Sequence, residues 1–555
     1  MIYSSPIAIF WLTFNLFYVT LRREFCHNPM QLVKNDWLFA LILRYMNIFK
    51  VTRYIVALIM PVVAFDMTAE EPVCYEASLT AGIGSGTFSP YYLSALRHGR
   101  FTQSRNLQGE LSAWKDIDTE KRFSYGFGVD VIGGVASSAS YERYSAEIEG
   151  WYTHSERPSA IWLQQLYGEL KYRCLFLEAG LREQSSAILN QRLTSGDLIE
   201  SGNTRPMPQL RAGFIDFQDI PLTNGWLQIS GEGAFGYMAD NGWWKDHYNY
   251  YNSHIATDQF YNYKRAYFRT KPSKPFSVTF GMQAAATFAG TSKLYNKGVV
   301  TKVEVHPKSL KYFLKMILPT QDGGEGFYSG NHLGTWDIRM RYRLKNNDEI
   351  FAYTSWLWDD GSGIGKLNGW DGLWGIEYKA ASQGYVTGVV DEYFDFTNQS
   401  GLIHFNAADA PGCNIPAHAS GADDYYNNAG YNSFAYFGLS LGTPVMMAPL
   451  YNLDGYPNYI GNAIRGFHIG LEGNLSSELN YRMKGGYRKA WGTPKKMLRT
   501  PIHLTSVMME ATWRPRRSKG FSFYGAMELD RGNMPSNAFG VMAGVKYDGR
   551  FNFKK

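Results

Sequence analysis

After residue 69 the sequence contains no apolar run of about 18 residues, the length that a helix needs to cross a hydrocarbon layer. The mean hydropathy of -0.29 is also far below that of a bundle of membrane helices. These two absences exclude a helical membrane protein for the chain that follows the N-terminal region.

Cysteines and catalytic motifs are also scarce. The chain has four cysteines, and Cys74, Cys174 and Cys413 lie beyond the leader without any spacing typical of a metal site. A disulfide between two of these three would be stable in an oxidising compartment, and the sequence leaves the pair open. The histidines are scattered, and none lies in a motif with a recognisable nucleophile. The sequence therefore predicts no enzyme, no cofactor and no metal site.

What the chain has instead is strict alternation. Residues 336–344 read Trp-Asp-Ile-Arg-Met-Arg-Tyr-Arg-Leu. Because successive side chains of a strand point to opposite faces, this segment has one apolar face and one face with three arginines. The arginine face comprises Asp337, Arg339, Arg341 and Arg343. A strand of this kind suits a wall between lipid and a wet lumen.

The same alternation recurs at 123–131, 276–284, 481–488 and 521–529. Between residues 74 and 547 such runs number about 18, and each has the roughly 9–11 residues that a tilted strand needs to cross a bilayer. We therefore predict an all-β fold, a transmembrane antiparallel β-barrel of about 18 strands in an outer membrane, over residues 70–555. A soluble sandwich or propeller also alternates, but so many charged faces do not suit a packed interior.

The N-terminal 69 residues are set apart from the barrel. Residues 46–69 have a basic start, an apolar stretch from Tyr54 to Phe65 and small residues after it, the pattern of a secretory signal peptide. Residues 1–45 are interpreted as an over-extended start, and the alternative is an additional membrane anchor. Neither segment is expected to contribute to the barrel.

Four segments are too long for hairpin turns and are predicted to be external loops: 239–261, 289–331, 397–431 and 443–462. Within the second, residues 307–318 have apolar residues at helical spacing, which predicts a short helix in the lumen or mouth. Residues Ser89 to Arg100 are expected to form a small helix or plug element after the first strand.

Seven motifs in this order resemble the capsule assembly protein Wzi family of outer membranes. They are Ser89–Arg100, Gln164–Leu170, Gly202–Arg211, Gly330–Trp336, Asp424–Asn427, Gly442–Tyr451 and Arg488–Thr493. The resemblance extends from about Tyr75 to Tyr547. It implies an 18-stranded barrel that acts as a lectin and retains capsular polysaccharide on the cell surface. The chain departs from the enterobacterial branch in that its first strand begins soon after the signal, which leaves little room for a helical plug.

A site that retains an acidic polysaccharide needs cations for carboxylates and aromatic rings for sugar faces. The predicted glycan-binding residues are the loop aromatics Trp243, Trp244, Tyr248, Tyr250, Tyr425, Tyr426 and Tyr451 and the inward-facing basic residues Arg205, Arg211, Arg339, Arg341 and Arg343. The alternative for the arginines is a lattice of ion pairs that braces the lumen. For the aromatics it is packing within their loops.

The expected partners are a capsular or other surface polysaccharide and outer-membrane lipid, with a polysaccharide export channel as a further partner. Nucleic acid is not expected, and the barrel is predicted to be a monomer. The alternative function is a porin or channel for polysaccharide or small anionic solutes. The state of the lumen separates the two, because a porin needs an open passage.

Overall fold

The computed structural model describes residues 72–317, 330–359, 361–364, 366, 368–401, 404–405, 419–420 and 423–551. The chain divides into two units, Met1–Val62 and Val63–Lys555, and every described residue belongs to the second. The interpretations of 1–45 as a leader and 46–69 as a signal peptide concern residues outside the described set.

Eighteen antiparallel strands form a closed barrel, as predicted. Each strand pairs with its neighbours in chain order, and β1 also pairs with β18, from Val73 opposite Phe551 to Gly84 opposite Gly540, which closes the ring. The short strand Gln218–Asp219 pairs with β7 beside β6. The wall strands are β1 (Val73–Gly84), β2 (Asn106–Lys115), β3 (Phe123–Ala136), β4 (Ile161–Tyr172), β5 (Leu175–Leu181), β6 (Pro208–Phe214), β7 (Leu227–Tyr237), β8 (Phe260–Thr270), β9 (Phe276–Phe288), β10 (Asn331–Arg343), β11 (Glu349–Trp358), β12 (Gly372–Lys379), β13 (Gly388–Asp395), β14 (Ile464–Asn474), β15 (Leu479–Thr493), β16 (Lys496–Trp513), β17 (Phe521–Gly532) and β18 (Ala538–Phe551).

The predicted division of faces is confirmed in β10. Met340 and Tyr342 are exposed on the outside of the barrel, whereas Asp337 is buried on the inside. The same alternation of exposed apolar and buried polar residues recurs in β3 and β17. The outer surface is therefore an apolar belt for lipid, and the lumen holds the polar side chains.

The two ends of the barrel differ. Both termini of the wall lie at one end, where the connections are short, such as the two residues between β4 and β5. The other end carries all the long connections, which include 182–207, 238–259, 289–330 and 396–463. Barrels of this class keep short turns in the periplasm and long loops outside, which orients the chain in the membrane.

The long connection 396–463 contains both of the loops predicted at 397–431 and 443–462. The residues between them form a small hairpin, Ala435–Tyr436 with Leu439–Ser440, and contribute no strand to the wall. Other short strands lie at the same end: a three-stranded sheet of Asn252–Thr257, Gly290–Asn296 and Val299–His306, and the hairpins Ala139–Ser145 with Gly150–Glu156 and His404–Phe405 with Ala419–Ser420.

Four short α-helices accompany the wall in the described part of the chain: α1 (Tyr91–Ser94), α2 (Trp243–His247), α3 (Leu310–Ile317) and α4 (Gly361–Ile364). The helix predicted within 307–318 is present as α3, but it packs on the outer wall at the long-loop rim and not in the lumen. Its Phe313 contacts Phe235, Phe260 and Phe288, which all belong to the outward register of their strands. Among the described residues, no helix combines the length and the hydropathy that a membrane span requires.

The loop 182–207, which we call the strap, crosses the lumen. It leaves the wall at β5 and returns at β6, and its middle part reaches the opposite side of the barrel. There Thr194 Oγ1 donates to Glu392 Oε1 on β13 (2.7 Å), and Leu193 O accepts from His468 Nε2 on β14 (2.6 Å). A Cβ on Gly470 would lie 2.6 Å from Leu193 O, so this close approach requires glycine in β14.

Further bonds fix the strap along its course. Asp197 accepts from Gln283 on β9, and Lys484 on β15 donates to Thr194 O (3.2 Å). Since β5 and β14 are nine strands apart in a ring of 18, the strap joins opposite walls.

The cysteines that the structure describes are Cys74 and Cys174, and both carry free thiols. A disulfide between these two is therefore ruled out in this structure, and Cys413 lies outside the described residues. Within the described part of the chain, no group of three or more His, Cys, Asp or Glu residues is arranged to hold a metal ion.

Candidate functional site: a cavity at the barrel mouth

The loop 85–105 folds into the barrel and carries α1 to the wall. Pro90 precedes the helix, and the first helical N–H groups have no partner within the helix itself. Carboxylates of β17 accept them instead: Asp530 accepts from Tyr91 N (2.9 Å), and Glu528 accepts from Tyr92 N and Leu93 N (both 2.8 Å). The predicted plug element is thus a short helix anchored by its backbone to the inner wall.

A cavity of about 130 Å³ lies between this loop, the long connection and strands β15 to β18. One buried water needs roughly a tenth of that volume, so the cavity has room for a sugar-sized group. Its rim includes Leu453 and Ser536, both exposed at the long-loop end, so it opens toward the cell exterior. We call it the mouth cavity; the lining residues used below are Phe88, Tyr91, Asn203, Pro444, Tyr451, Arg488 and Asp530.

Arg488 is the cationic group of the mouth cavity. It belongs to the inward face of β15 and is 8% exposed. Its Cζ lies 3.7 Å from the centroid of the Tyr91 ring, and its Nη1 donates to Pro444 O (3.2 Å). Among the described residues its Nε has no hydrogen-bond partner. A guanidinium held by one ring and one carbonyl keeps donors for an anion.

Aromatic rings form the apolar side of the cavity. The rings of Tyr451 and Phe88 meet edge to face with centroids 5.0 Å apart. Burial raises the pKa of Tyr91 and that of Tyr451 above the usual value. Both hydroxyls therefore stay protonated at neutral pH and act as hydrogen-bond donors. Rings beside hydroxyls and a guanidinium suit a sugar, which has an apolar face and a polar edge.

The predicted arginines lie elsewhere. Arg211 is buried between Glu200 (2.5 Å) and Glu232 (2.6 Å), and Arg339 pairs with Glu377 (2.6 Å) while stacking on Phe351. Both contacts match the alternative of a bracing lattice.

The remaining three arginines occupy two further places. Arg341 and Arg343 lie at the short-turn end, where both approach Glu349 and donate to Pro272 O. Arg205 is stacked between the rings of Trp162 and Phe437, at 4.3 and 4.8 Å from their centroids. None of these five guanidinium groups lines the mouth cavity, and their role in glycan binding stays a prediction.

The aromatics around α2 form one packed group. Trp243 stacks on His247 with centroids 4.1 Å apart, and burial lowers the pKa of His247 to about 3, so this imidazole is neutral. Trp244 and Tyr248 are almost fully buried. Tyr250 is half-buried and donates to Lys245 O (2.9 Å). This group packs the loop 238–259. Trp243 is its member nearest the cavity residues, since Trp243 and Tyr451 pack against the same apolar cluster.

Tyr425 and Tyr426 are buried in the main interior cluster. The hydroxyl of Tyr425 donates to Asp371 Oδ2 (3.1 Å), and that of Tyr426 donates to the strap at Leu198 O (2.5 Å). They bind the long connection to its neighbours. Of the seven predicted aromatics, Tyr451 is the one that lines the mouth cavity.

Tyr91, Arg488 and Asp530 are cavity residues that the predicted site omits. The first two stand in the motifs Ser89–Arg100 and Arg488–Thr493 that carry the family resemblance. Asn203 and Tyr451 add the motifs Gly202–Arg211 and Gly442–Tyr451, so four of the seven motifs meet at this cavity. This convergence of motifs that are distant in the chain is the signal that could have identified the site.

No protein-family model and no curated protein sequence matches the chain. Among solved structures, the barrel is similar to Wzi of Escherichia coli, described as an outer-membrane protein involved in group 1 capsule assembly and a carbohydrate-binding β-barrel. The TM-score is 0.51 and the identity 13%, over 86% of this chain and 85% of that one. OccAB2 of Acinetobacter baumannii (TM-score 0.43, 8% identity, 86% and 98% covered) and OprD of Pseudomonas aeruginosa (0.41, 8%, 87% and 96%) also match. The closed 18-stranded wall and its likeness to Wzi identify this chain as a β-barrel of the outer membrane.

Proposed function

We propose that this barrel is an outer-membrane lectin of the Wzi type, which binds an acidic capsular or related surface polysaccharide and retains it on the cell. The observation that carries the proposal is the mouth cavity, where Arg488, Tyr91 and Tyr451 meet at an opening toward the exterior. The resemblance of the four motifs that line it to the Wzi family supports the same function.

The charge of the cavity favours an acidic ligand. Among the described residues, no carboxylate forms an ion pair with Arg488, whereas Asp530 is engaged by Ser506 Oγ and by Tyr91 N. A uronate or pyruvate carboxylate would supply the missing partner through charge-assisted hydrogen bonds. The Tyr91 ring holds the guanidinium in place, so little side-chain freedom is lost when the ligand binds.

The strap argues against the porin alternative. It connects opposite walls through Thr194, Leu193 and Asp197, and Arg339 on β10 donates to Ile188 O. A diffusion channel needs a continuous wet passage, and this loop lies across it. The proposal therefore includes a barrel that conducts no ions and carries out no catalysis. Stepwise conductance of the purified protein in a planar bilayer would contradict this part.

The direct test compares Arg488→Gln with Arg499→Gln. Arg499 is exposed on β16 near the long-loop end, so its variant loses the same charge outside the cavity. We expect Arg488→Gln to weaken binding of purified acidic capsular polysaccharide by about 10- to 100-fold, the value of one charged hydrogen-bonding group. Arg499→Gln should bind as the unmodified protein does. Equal affinity of both variants, in folded protein, would remove the mouth cavity from the proposal.

The cellular test measures how capsular polysaccharide divides between cells and medium in a deletion strain. Polymer made at its normal level but released into the medium is the expected result. Restoring the gene should return it to the cells, and restoring the Arg488→Gln variant should not. Polymer that stays on the deletion strain would contradict a retention function.

A further inference from the structure

Helix α3 packs on the outside of the barrel wall, against small and aromatic residues of the strands. Ala284 and Ala286 of β9 belong to the outward register and are fully buried, and Ala286 lies in one apolar cluster with Met316 of the helix. Met316 packs onto this floor, and Phe313 meets Phe288 edge to face with centroids 5.0 Å apart. Small residues in the wall thus let the helix approach it closely.

Two polar residues in the lipid-facing register of β8 need this helix. Asn262 and Lys264 point outward, where a barrel normally presents apolar residues. Lys264 Nζ donates to Asn262 Oδ1 (3.0 Å) and to Met316 O (2.6 Å) in the last turn of α3. The terminal carbonyls of a helix have no partner within it and carry partial negative charge, so an ammonium group stabilises them. The outward lysine therefore anchors α3 to the wall.

The opposite side of α3 is divided between apolar and basic residues. Leu310, Leu314 and Ile317 form an apolar ridge and are 76%, 59% and 44% exposed. Lys311 follows on the next face, and Lys308 precedes the helix; both are exposed. A helix that exposes an apolar ridge beside lysines, on the outer wall of a membrane barrel, has the pattern of an interfacial helix.

The height of the helix agrees with this reading. On β11 and β12, two and three strands further round the wall from β9, the outward residues Trp356 and Trp374 meet edge to face with centroids 5.1 Å apart. Lys366 Nζ lies 3.6 Å from the centroid of the Trp356 ring. Tryptophan with lysine marks the boundary between hydrocarbon and headgroups. The helix packs on the wall at the same long-loop end, which agrees with the level of the outer leaflet.

We propose that α3 and Lys308 form a binding site for the phosphorylated glycolipid of the outer leaflet, with acyl chains on the Leu310–Leu314 ridge and a phosphate group at Lys308 and Lys311. Charge complementarity selects this occupant. Residues 289–317 contain six lysines and one glutamate, and the outer leaflet presents a dense layer of lipid A phosphates. The site is separate from the mouth cavity, so it does not depend on the proposed lectin function.

The test uses the folded full-length barrel and bisphosphorylated lipid A as the probe. Bound lipid A molecules are counted by native mass spectrometry for the unmodified protein and for the double variant Lys308→Glu, Lys311→Glu. The matched control is Lys495→Glu, Lys496→Glu, at the turn between β15 and β16 and the first residue of β16, which makes the same charge change at the same end of the barrel on its far side. Folding is checked by comparing unheated and heated samples in electrophoresis, because a folded barrel migrates differently from the unfolded chain.

We expect the first variant to lose about 30-fold in affinity for bisphosphorylated lipid A, and the control variant to lose little. Lipid A without phosphates should bind all three proteins equally. Equal binding of bisphosphorylated lipid A to the three proteins would overturn the proposal. So would a loss confined to binding of acidic polysaccharide, because it would make the lysines part of the glycan site instead.

Discussion

Two arginines of the lumen, Arg211 and Arg488, have nearly the same burial but opposite surroundings. Arg211 is 3% exposed and lies between two glutamates, one on the strap and one on β7. Arg488 is 8% exposed and has a ring, a carbonyl and an open cavity beside it. The first region is a closed ion-pair lattice that joins loop and wall. In the second, Arg488 forms no ion pair with a described carboxylate, and its Nε has no hydrogen-bond partner among the described residues.

The largest effect is expected from Arg211→Ala. Removing this side chain leaves Glu200 with its buried carboxylate uncompensated, which costs about 3–5 kcal/mol in comparable buried pairs. The urea midpoint of unfolding should fall accordingly, and the double variant Arg211→Met, Glu200→Gln should recover a large part of it. A single variant as stable as the unmodified barrel would mean that the lattice does not brace the lumen.

The next effect is expected from Arg488→Lys, which keeps the charge but removes the planar group stacked on Tyr91. Affinity for acidic polysaccharide should fall by about tenfold, while the urea midpoint stays within experimental error, in contrast to Arg211→Ala. Titration calorimetry with a defined oligosaccharide measures the first quantity. A drop in stability equal to that of Arg211→Ala would show that the two arginines have the same structural role.

A smaller effect is expected from Tyr451→Leu. Leucine keeps an apolar contact with Phe88 but loses the ring face and the hydroxyl. Oligosaccharide affinity should fall several-fold, the contribution of about 1 kcal/mol from one ring. Tyr425→Leu provides the comparison: that ring is buried away from the cavity, so its loss should reduce the stability of the long connection in hydrogen exchange. Equal effects of both variants on affinity would extend the site beyond the cavity.

The smallest effect is expected from salt. Partly accessible charges are screened as the ionic strength rises, and buried pairs are screened less. Raising sodium chloride tenfold should weaken polysaccharide binding at Arg488 by a few-fold and leave the urea midpoint of the barrel almost unchanged. Binding that does not respond to salt would indicate that sugar stacking, and not the guanidinium, supplies the affinity.

The wall could be predicted from sequence because its signal is local. The alternation of Trp336, Arg339 and Tyr342 assigns each side chain to lipid or lumen before any partner is known, and the structure agrees. Loops have no such period. The burial of Trp244 and Tyr425 depends on segments far away in the chain, so the sequence left glycan binding and packing within the loops as alternatives for both. Lys264 is an exception to the apolar outward pattern of β8 and could have located α3. A lysine that faces lipid needs a polar partner, and here the partner is the carbonyl of Met316 in α3.

The site was harder to predict for the same reason. Tyr91 and Arg488 are almost 400 residues apart in the chain. They come into contact because β17 anchors α1 through Asp530 and Glu528. Neither residue alone differs from its neighbours in the sequence. That Arg488 forms no ion pair is recognisable only when the carboxylates around it have been located.

The strap has a mechanical consequence. A ring of 18 strands held by its wall alone can flatten into an ellipse, because the angle between two hydrogen-bonded strands can change slightly. A loop fastened to β9, β13, β14 and β15 works as a cross-tie, and it holds the diameter of the ring constant. Tension on a polymer held at the mouth would then be carried across the whole circumference and not by the few strands nearest to it.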